Sequence, residues 1–142
     1  MKPKLVTIAG PTACGKTAVS VELAKIIDGE IISADSMQVY KYMDIGTAKV
    51  TEEEKQGIKH YLIDDLYPDE EFSIAVFQKM AKNALSEIYA KNKMPVLVGG
   101  TGFYVNGLIY DNDFTPGEKD EKMRLELEKE AEEKGNDYVH NI

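Results

Sequence analysis

The feature that most constrains this chain is a glycine loop between a strand-like run and a helix-like run. Residues 10–17 are Gly10-Pro-Thr-Ala-Cys-Gly-Lys16-Thr17, and the β-rich run Leu5–Ala9 precedes them. They match in full the P-loop pattern, in which two glycines flank four residues and are followed by Lys and by Ser or Thr. The glycines let backbone N–H groups turn toward phosphate oxygens, and the start of the next helix adds its positive dipole end. The residues predicted to bind phosphate are Gly10, Pro11, Thr12, Ala13, Cys14, Gly15, Lys16 and Thr17.

Two side chains of the loop are predicted to act directly on phosphate. Lys16 is expected to contact the terminal phosphate, and Thr17 is expected to hold a Mg²⁺ ion that bridges the phosphates. Cys14 is the single cysteine of the chain, so it forms no internal disulfide and is interpreted as a small filler residue. Taken alone, the loop favours a nucleoside triphosphate as its ligand.

The pattern around the loop predicts an α/β fold. A helix from about Gly15, with Gly29 as its stop, leads to a second buried strand, Glu30–Ala34, and this unit implies a parallel sheet with a right-handed crossover. The further elements are predicted as a doubtful strand at 60–63, a helix capped by Ser73, a strand at 94–98 and a helix carrying Tyr104. The fold class is therefore a P-loop-containing parallel sheet with helices on both faces. With so few strands the sheet looks incomplete.

Composition separates the last thirty or so residues from the rest. Residues 111–117 are polar and turn-rich, and residues 118–134 form a charged helical pattern that ends at Gly135. The chain is accordingly divided into a partial P-loop core, residues 1–110, and a linker with the start of a helical insertion, residues 111–142.

The overall charge argues against some classes of protein. The 25 acidic and 17 basic residues give a net charge of -8, which disfavours non-specific nucleic-acid binding but leaves room for one local basic patch. No apolar run is long enough to span a bilayer, and no signal peptide is visible, so no membrane partner and a cytoplasmic location are expected.

Asp35 is the first candidate for chemistry outside the loop. It follows the second strand at its carboxyl end, where open α/β sheets place their ligands. A carboxylate there could accept a proton from a nucleophile, or it could cap the turn that begins with Asp35-Ser36; position alone leaves both open. The connection from Asp35 to Phe72 is long, which favours a functional role, and its residues Ser36 and Gln38 could bind a polar substrate.

The third segment of interest is Gly99-Gly-Thr101-Gly102. In many P-loop NTPases a strand of this kind ends in an Asp that helps to hold Mg²⁺, whereas here Val98 is followed by two glycines. That difference disfavours an ordinary ATPase or GTPase. Thr101 could donate to a leaving-group oxygen, or cap the next helix, or do both. The two histidines, His60 and His140, have no companion at metal-ligand spacing and are interpreted as structural.

Three segments together are similar to one family. The P-loop at 10–17, Ile31-Ile-Ser-Ala-Asp-Ser-Met-Gln-Val-Tyr40 and Leu97-Val-Gly-Gly-Thr-Gly-Phe-Tyr104 resemble the tRNA dimethylallyltransferases. Residues 44–49, 60–64 and 120–124 also look like that family, in the expected order. The middle segment is far more specific than the P-loop.

The resemblance implies a function and a set of roles. Such enzymes transfer a dimethylallyl group from its diphosphate to the exocyclic amine of an adenine beside the tRNA anticodon. The P-loop would then hold dimethylallyl diphosphate in place of ATP, with Lys16, Thr17 and Mg²⁺ neutralising the leaving diphosphate. Asp35 would accept the amine proton, and Thr101 would assist at the bridging oxygen. The residues implied in tRNA binding are Asp35, Ser36, Met37, Gln38, Thr101 and Arg124, the last within the tRNA-binding insertion that begins after residue 110.

The resemblance also indicates that the chain is only part of a longer protein, and other functions remain possible. Family members are roughly twice this length, so the chain is expected to be an N-terminal part with weak or no transfer activity on its own. The alternatives are a P-loop kinase of a small metabolite, an adenylate prenyltransferase with the same core, and a non-catalytic diphosphate-binding fragment.

Overall fold

The computed structural model describes residues 3–100, 102–111 and 121–141 of the protein, with Glu121 described by its backbone alone. Ten elements lie within these residues. They are β1 (Val6–Ala9), α1 (Lys16–Ile26), β2 (Gly29–Ser33), α2 (Glu52–Lys55), β3 (His60–Tyr61), α3 (Ile74–Ala90), β4 (Met94–Gly99), α4 (Gly102–Ile109), α5 (Glu121–Lys134) and α6 (Asn136–His140). The predicted strands and helices are confirmed; the first three residues of the helix expected at 118–134 lie outside the described residues.

The four described strands form one parallel sheet in the order β1-β4-β2-β3. β4 lies between β1 and β2, with Thr7 and Ile32 both opposite Leu97. This arrangement confirms the predicted parallel sheet and confirms the doubtful strand as β3, which is two residues long. Because all four strands run in the same direction, their carboxyl ends meet along one edge, which is where the P-loop begins.

Alternate strand residues face two separate apolar cores. Ile31 and Val96 pack with Val21 and Ala24 of α1 on one face of the sheet. Their neighbours in sequence, Ile32 and Leu97, belong to the other core, which is completed by these residues of α3 and α4: Phe77, Ala81, Ala84, Ile88, Val105 and Leu108. Successive side chains of a strand point to opposite faces, so this division confirms the prediction of helices on both faces.

The end of α1 differs from the sequence prediction. Gly29 was expected to stop the helix. The residue with a left-handed backbone that follows α1 is instead Asp28, with a φ of 51°, and Gly29 is the first residue of β2. A Cβ at Gly29 would lie 2.8 Å from the carbonyl oxygen of Met94. Gly29 is therefore required by the close approach of β2 and β4, and the interpretation as a helix stop is wrong.

The long connection after β2 is tied to the segment after β3. Backbone N–H groups of Asp65 and Leu66 donate to the carbonyl of Val39 at 2.8 and 3.0 Å, and Tyr40 pairs with Leu66 as an isolated parallel bridge. α2 begins with a capping box at Thr51, whose hydroxyl accepts the backbone N–H of Glu54. These contacts hold the connection at the carboxyl edge of the sheet. Within the described residues no helix has both the length and the apolar character needed to cross a membrane.

A buried carboxylate lies at the opposite, amino end of the sheet. Glu30 is 5% exposed and accepts hydrogen bonds from Tyr61 Oη at 2.9 Å and from Lys91 Nζ at 3.0 Å. Burial alone would raise the pKa of Glu30, but the bonds from Lys91 and Tyr61 and the charges of Lys91 and Lys93 outweigh it and lower the pKa. The charged form of Glu30 is thus the one that the folded chain prefers.

This cluster predicts a loss of stability in acid. A carboxyl whose pKa is lowered by folding contributes stability above its ordinary value of 4.5, and loses it as pH falls through the folded value. The free energy of unfolding of the parent chain is therefore expected to fall more steeply below pH 4.5 than that of Glu30→Gln, measured by urea titration at several pH values. Glu22→Gln, at an exposed partner of Lys25, is the control and should keep the parent's slope; an equal slope for Glu30→Gln would refute the prediction.

Candidate phosphate-binding cleft

The P-loop joins the carboxyl end of β1 to the start of α1. Two of its residues have left-handed backbone conformations, Ala13 with a φ of 62° and Gly15 with a φ of 89°. The conformation is uncommon for a residue other than glycine, and here it turns the chain tightly before the helix. Gly15 precedes α1 and no side chain caps the helix. The first backbone N–H groups of α1 therefore lack a side-chain acceptor from the cap and face the loop, as an anion site requires.

The side chain of Lys16 folds back over the P-loop, toward its first residues. Its Nζ donates to the carbonyl oxygens of Gly10 at 2.8 Å and Pro11 at 2.5 Å, and lies 3.9 Å from Cys14 Sγ. The ammonium is thus held at the mouth of the loop by neutral acceptors. A phosphate oxygen that replaced one of them would bring a negative charge to the ammonium and would therefore bind it more strongly than a neutral carbonyl does.

A cleft of about 740 Å³ opens beside the loop at the carboxyl edge of the sheet. Its size is that of a site for a small molecule. Its lining residues are Pro11, Thr12, Ala13, Gly15, Lys16, Thr17, Ser33, Asp35, Gln38, Thr47, Ala48, Glu54, Val98, Gly99 and Gly100. The cleft therefore brings most of the predicted P-loop residues together with Asp35 and Gln38. Gly10, Cys14, Ser36 and Met37 adjoin it in sequence without lining it.

Asp35 has one carboxylate oxygen engaged in a turn. Its Oδ1 accepts the backbone N–H groups of Met37 at 2.8 Å and Gln38 at 3.1 Å. This is the turn-capping arrangement that the sequence left open, and it fixes the carboxylate at the cleft. Among the described residues no donor is bound to Oδ2. The side chain can therefore both hold the turn and present an acceptor oxygen.

Tyr104 lies near this carboxylate. Burial raises the pKa of Tyr104, and the charges of Tyr40 and Asp35 raise it further. Its ring packs on Phe77, with ring centres 5.0 Å apart. The ring is partly buried and packs against the apolar cluster that contains Phe77.

Gln38 is held by its own amide. Its Nε2 donates to the carbonyl oxygens of Thr47 at 3.1 Å and Ala48 at 3.0 Å, and its Oε1 accepts from Ser33 Oγ at 3.3 Å. All three contacts are within the protein. The predicted contact between Gln38 and a base would therefore use the remaining lone pair or an exchange of these partners.

The chemistry of the donors fits a magnesium ion. The Thr17 hydroxyl lines the cleft, and a hard oxygen donor of this kind, with phosphate oxygens and water, is what Mg²⁺ prefers. No group of three or more His, Cys, Asp or Glu side chains able to hold a metal occurs in the described part of the chain. The protein itself would supply few ligands, which is usual for Mg²⁺ bound with a phosphate.

Gly99, the last residue of β4, and Gly100, which follows it, are small for different structural reasons. A Cβ at Gly99 would lie 2.6 Å from the carbonyl oxygen of Ala34 and 2.7 Å from its Cβ, so Gly99 is required by the close approach of two strands. A Cβ at Gly100 would lie 3.2 Å from the Gly10 oxygen and 3.9 Å from Lys16 Nζ. A side chain at Gly100 would therefore crowd the P-loop and Lys16.

The remaining predicted site residues are Thr101 and Arg124. Thr101 lies outside the described residues, so its two predicted roles remain predictions. Arg124 lies on α5, is exposed, and pairs with Glu128 of the same helix at 3.0 Å. His60, interpreted as structural, binds the carbonyl of Ile58 through Nδ1 at 2.9 Å, and burial lowers its pKa.

Sequence reasoning missed a part of the cleft. Thr47, Ala48 and Glu54 line it from the long connection. Two signals pointed to this region: the length of the connection after a strand's carboxyl end, and the family resemblance of residues 44–49. Neither signal gave a role to Thr47, Ala48, Lys49 or Glu54.

The fold and the loop define a P-loop α/β protein with a phosphate site at the carboxyl edge of its sheet. A narrower assignment follows from comparison with known proteins: the family model described as IPP transferase matches residues 38–142. The chain belongs to that family, as its sequence motifs predicted.

Relatives and solved structures agree with this assignment. The chain is 60% identical over 99% of its length to the tRNA dimethylallyltransferase of Alkaliphilus oremlandii, of which it covers 45%. The structure of a full-length tRNA isopentenylpyrophosphate transferase from Bacillus halodurans matches 99% of the chain with a TM-score of 0.79 and 51% identity, and 46% of that protein is covered. A eukaryotic dimethylallyltransferase acting on tRNA matches 89% of the chain with a TM-score of 0.77 and 34% identity, and 32% of it is covered. The chain thus spans less than half the length of these relatives.

Proposed function

We propose that the chain carries the donor-binding part of a tRNA dimethylallyltransferase. The reaction is transfer of a dimethylallyl group from dimethylallyl diphosphate to the exocyclic amine of an adenine beside the tRNA anticodon. The observation that supports it best is the cleft, in which Lys16 and Thr17 of the P-loop lie together with Asp35. The names of two relatives that are identical to this chain at more than half of the aligned positions support the same reaction.

The cleft residues have distinct roles in this proposal. The adenine amine attacks the first carbon of the allyl group, the carbon–oxygen bond to diphosphate breaks, and the amine proton passes to Asp35. Lys16 and the N–H groups at the start of α1 stabilise the negative charge that develops on the diphosphate. Bound Mg²⁺, held by Thr17 and the diphosphate, would add Lewis-acid stabilisation of the same charge. Thr101 would donate a hydrogen bond to the bridging oxygen.

The acceptor would approach from the side of the turn after β2. Asp35, Ser36, Met37 and Gln38 would contact the adenine, which has to leave its stack to react. Exposure of Met37, 44%, supports an accessible position for such a contact. Residues 111–142 would begin an insertion that contacts tRNA, with Arg124 as one contact, after the core of residues 1–110. A cytoplasmic location, where tRNA is found, belongs to the same proposal.

A kinase of a small metabolite is the second candidate, because the P-loop is shared by enzymes that bind nucleoside triphosphates. The end of β4 disfavours it. Val98 is followed by Gly99, whose place against Ala34 leaves no room for a side chain, so an Asp that holds Mg²⁺ in many NTPases has no counterpart there. An adenylate prenyltransferase shares the donor site and differs in the acceptor.

Calorimetric titration distinguishes the tRNA dimethylallyltransferase from the kinase. In the presence of Mg²⁺ the 142-residue chain is expected to bind dimethylallyl diphosphate at least about tenfold more tightly than ATP, because the proposed ligand is a diphosphate with an apolar group. Tighter binding of ATP would overturn the proposal in favour of the kinase.

The role of Asp35 needs a separate measurement. Asp35→Asn is expected to leave the dissociation constant for dimethylallyl diphosphate within about threefold of the parent, because the amide oxygen can still accept the N–H groups of Met37 and Gln38. Transfer should fall by roughly 100-fold or more, because an amide does not accept the proton. Transfer to a tRNA and to adenosine monophosphate is measured in a chimera in which residues 1–142 replace the aligned segment of the Alkaliphilus oremlandii relative. Full transfer by the Asp35→Asn chimera would exclude Asp35 as the proton acceptor; preference for the monophosphate would favour the adenylate enzyme.

A further inference from the structure

Lys49 is a buried lysine beside the cleft with three oxygen partners. Its side chain is 8% exposed. Its Nζ donates to the carbonyl oxygen of Tyr40 at 2.9 Å, to Asp44 Oδ1 at 2.7 Å and to Asp64 Oδ1 at 2.6 Å. A lysine is seldom buried unless it is paired, and here all three ammonium hydrogens have an acceptor.

The three oxygens belong to different segments of the chain. Tyr40 ends the turn that begins at Asp35, Asp44 begins the loop that leads to the cleft, and Asp64 follows β3. One ammonium therefore joins the turn that carries Asp35, the loop at residues 44–48 and the edge of the sheet. Among the described residues Lys49 itself does not line the cleft, whereas Thr47 and Ala48 do.

Gln38 ties the same loop to the sheet from the other side. Its amide binds the carbonyl oxygens of Thr47 and Ala48 and the hydroxyl of Ser33 on β2. Its backbone N–H donates to Asp35 Oδ1 at 3.1 Å, and its carbonyl accepts from the N–H of Asp64 at 3.1 Å. Lys49 and Gln38 thus act on one loop, residues 44–48, and both connect it to Asp35.

We propose that Lys49 is a positioning residue of the cleft: with Gln38 it fixes residues 44–48 as the wall opposite the P-loop and holds the Asp35 turn against that wall. The proposal rests on the proposed function in taking dimethylallyl diphosphate as the ligand of the cleft. Lys49 touches neither substrate in this scheme, and its effect passes through Thr47, Ala48 and Gln38.

Electrostatics gives the reason for a lysine at this position. Asp44 and Asp64 both bind the one ammonium, so without it two carboxylates would face each other and the carbonyl of Tyr40 would lose its donor. Burial acts to lower the pKa of Lys49, but the hydrogen bonds and charges of Asp44 and Asp64 outweigh it and raise the pKa. The cation is thus present throughout the physiological range, and its role is to hold structure and not to titrate.

The first test is hydrogen exchange on the 142-residue chain. In Lys49→Met the amides of Asp64, Asp65 and Leu66, which bind the carbonyls of residues 38 and 39, are expected to exchange at least about tenfold faster because the segment opens more often. Lys82→Met is the control: Lys82 also pairs with a carboxylate, Asp111 at 2.5 Å, but from α3, and it should leave these amides unchanged. Unchanged exchange in Lys49→Met would overturn the proposal.

The second test is a double-mutant cycle on ligand affinity. Lys49→Met and Gln38→Leu are each expected to raise the dissociation constant for dimethylallyl diphosphate about tenfold, and the double variant is expected to match either single variant, since both release the same wall. If Lys49 had only a general structural role, Lys49→Met would lower the stability of the chain, and its effect on affinity would not depend on Gln38→Leu. Lys49→Arg, which keeps the cation, should recover affinity relative to Lys49→Met. Additive losses of about 100-fold in the double variant would overturn the proposal.

The two proposals fail in different ways. If Lys16→Ala weakens diphosphate binding and Lys49→Met does not, the positioning role fails and the proposed function stands. If the parent chain binds no diphosphate, the proposed function fails, and the exchange rates of Asp64, Asp65 and Leu66 still decide whether Lys49 holds the wall.

Discussion

A chain with alanine at position 16 is expected to bind dimethylallyl diphosphate roughly 100-fold more weakly than the parent chain in the presence of Mg²⁺. Lys16 is the basic residue that lines the cleft, and its ammonium already lies at the mouth of the loop on the oxygens of Gly10 and Pro11. A hydrogen bond to a charged partner contributes about 1.5–3 kcal/mol, and the upper part of that range corresponds to a loss of about two orders of magnitude. Isothermal titration calorimetry measures it directly.

The matched control is Lys25→Ala on the same helix. Lys25 pairs with Glu22 at 2.8 Å and its side chain is 38% exposed, so its removal changes net charge by the same amount without touching the loop. The control should bind dimethylallyl diphosphate as the parent does. Equal losses for the two variants would mean that overall charge, and not the P-loop lysine, governs binding, and the assignment of the loop as the phosphate site would fail.

Much of the fold could be predicted from the sequence because its signals are local. Helical spacing in α1 and α3, short apolar strands and the P-loop between them each indicate their own structure. The strand order β1-β4-β2-β3 could not be predicted in this way, since it depends on which strands pack side by side. Gly29 shows the limit: its sequence position suits a helix stop, whereas the carbonyl oxygen that a Cβ at this position would meet at 2.8 Å belongs to Met94, far along the chain.

The site was predictable where a motif marks it and not where contacts between distant segments build it. Lys16, Thr17 and Asp35 were predicted from motif and strand position, and all three line one cleft. Lys49 was not, because its partners Asp44 and Asp64 are surface-type residues whose meeting depends on the path of the connection. The turn-capping role of Asp35 and its proposed acceptor role were left as alternatives, and the geometry accommodates both on separate oxygens.

Gly99→Ala is expected to destabilise the chain by about 3 kcal/mol, the upper end of the range for adding a methyl to a tightly packed site. The new Cβ would lie 2.6 Å from the carbonyl oxygen and 2.7 Å from the Cβ of Ala34. The oxygen is a backbone atom, so β2 and β4 have to move apart to relieve the clash, and they are neighbours at the centre of the sheet. Urea denaturation followed by circular dichroism measures the loss as a lower midpoint at an unchanged slope.

Gly102→Ala distinguishes this clash from a general cost of replacing glycine. Among the described residues a Cβ at Gly102 meets no heavy atom within 4 Å, and Gly102 is the first residue of α4, so alanine there should keep or slightly raise stability. Similar urea midpoints for the two variants would refute the clash.

The effect of Gly99→Ala should extend to the cleft because Asp35 directly follows Ala34. Where Gly99→Ala is still folded, displacement of β2 should also weaken diphosphate binding. A single methyl at the end of β4 would then disturb the core and the site together, since the contact that packs the two strands is also the one that sets the distance between the Asp35 turn and the P-loop.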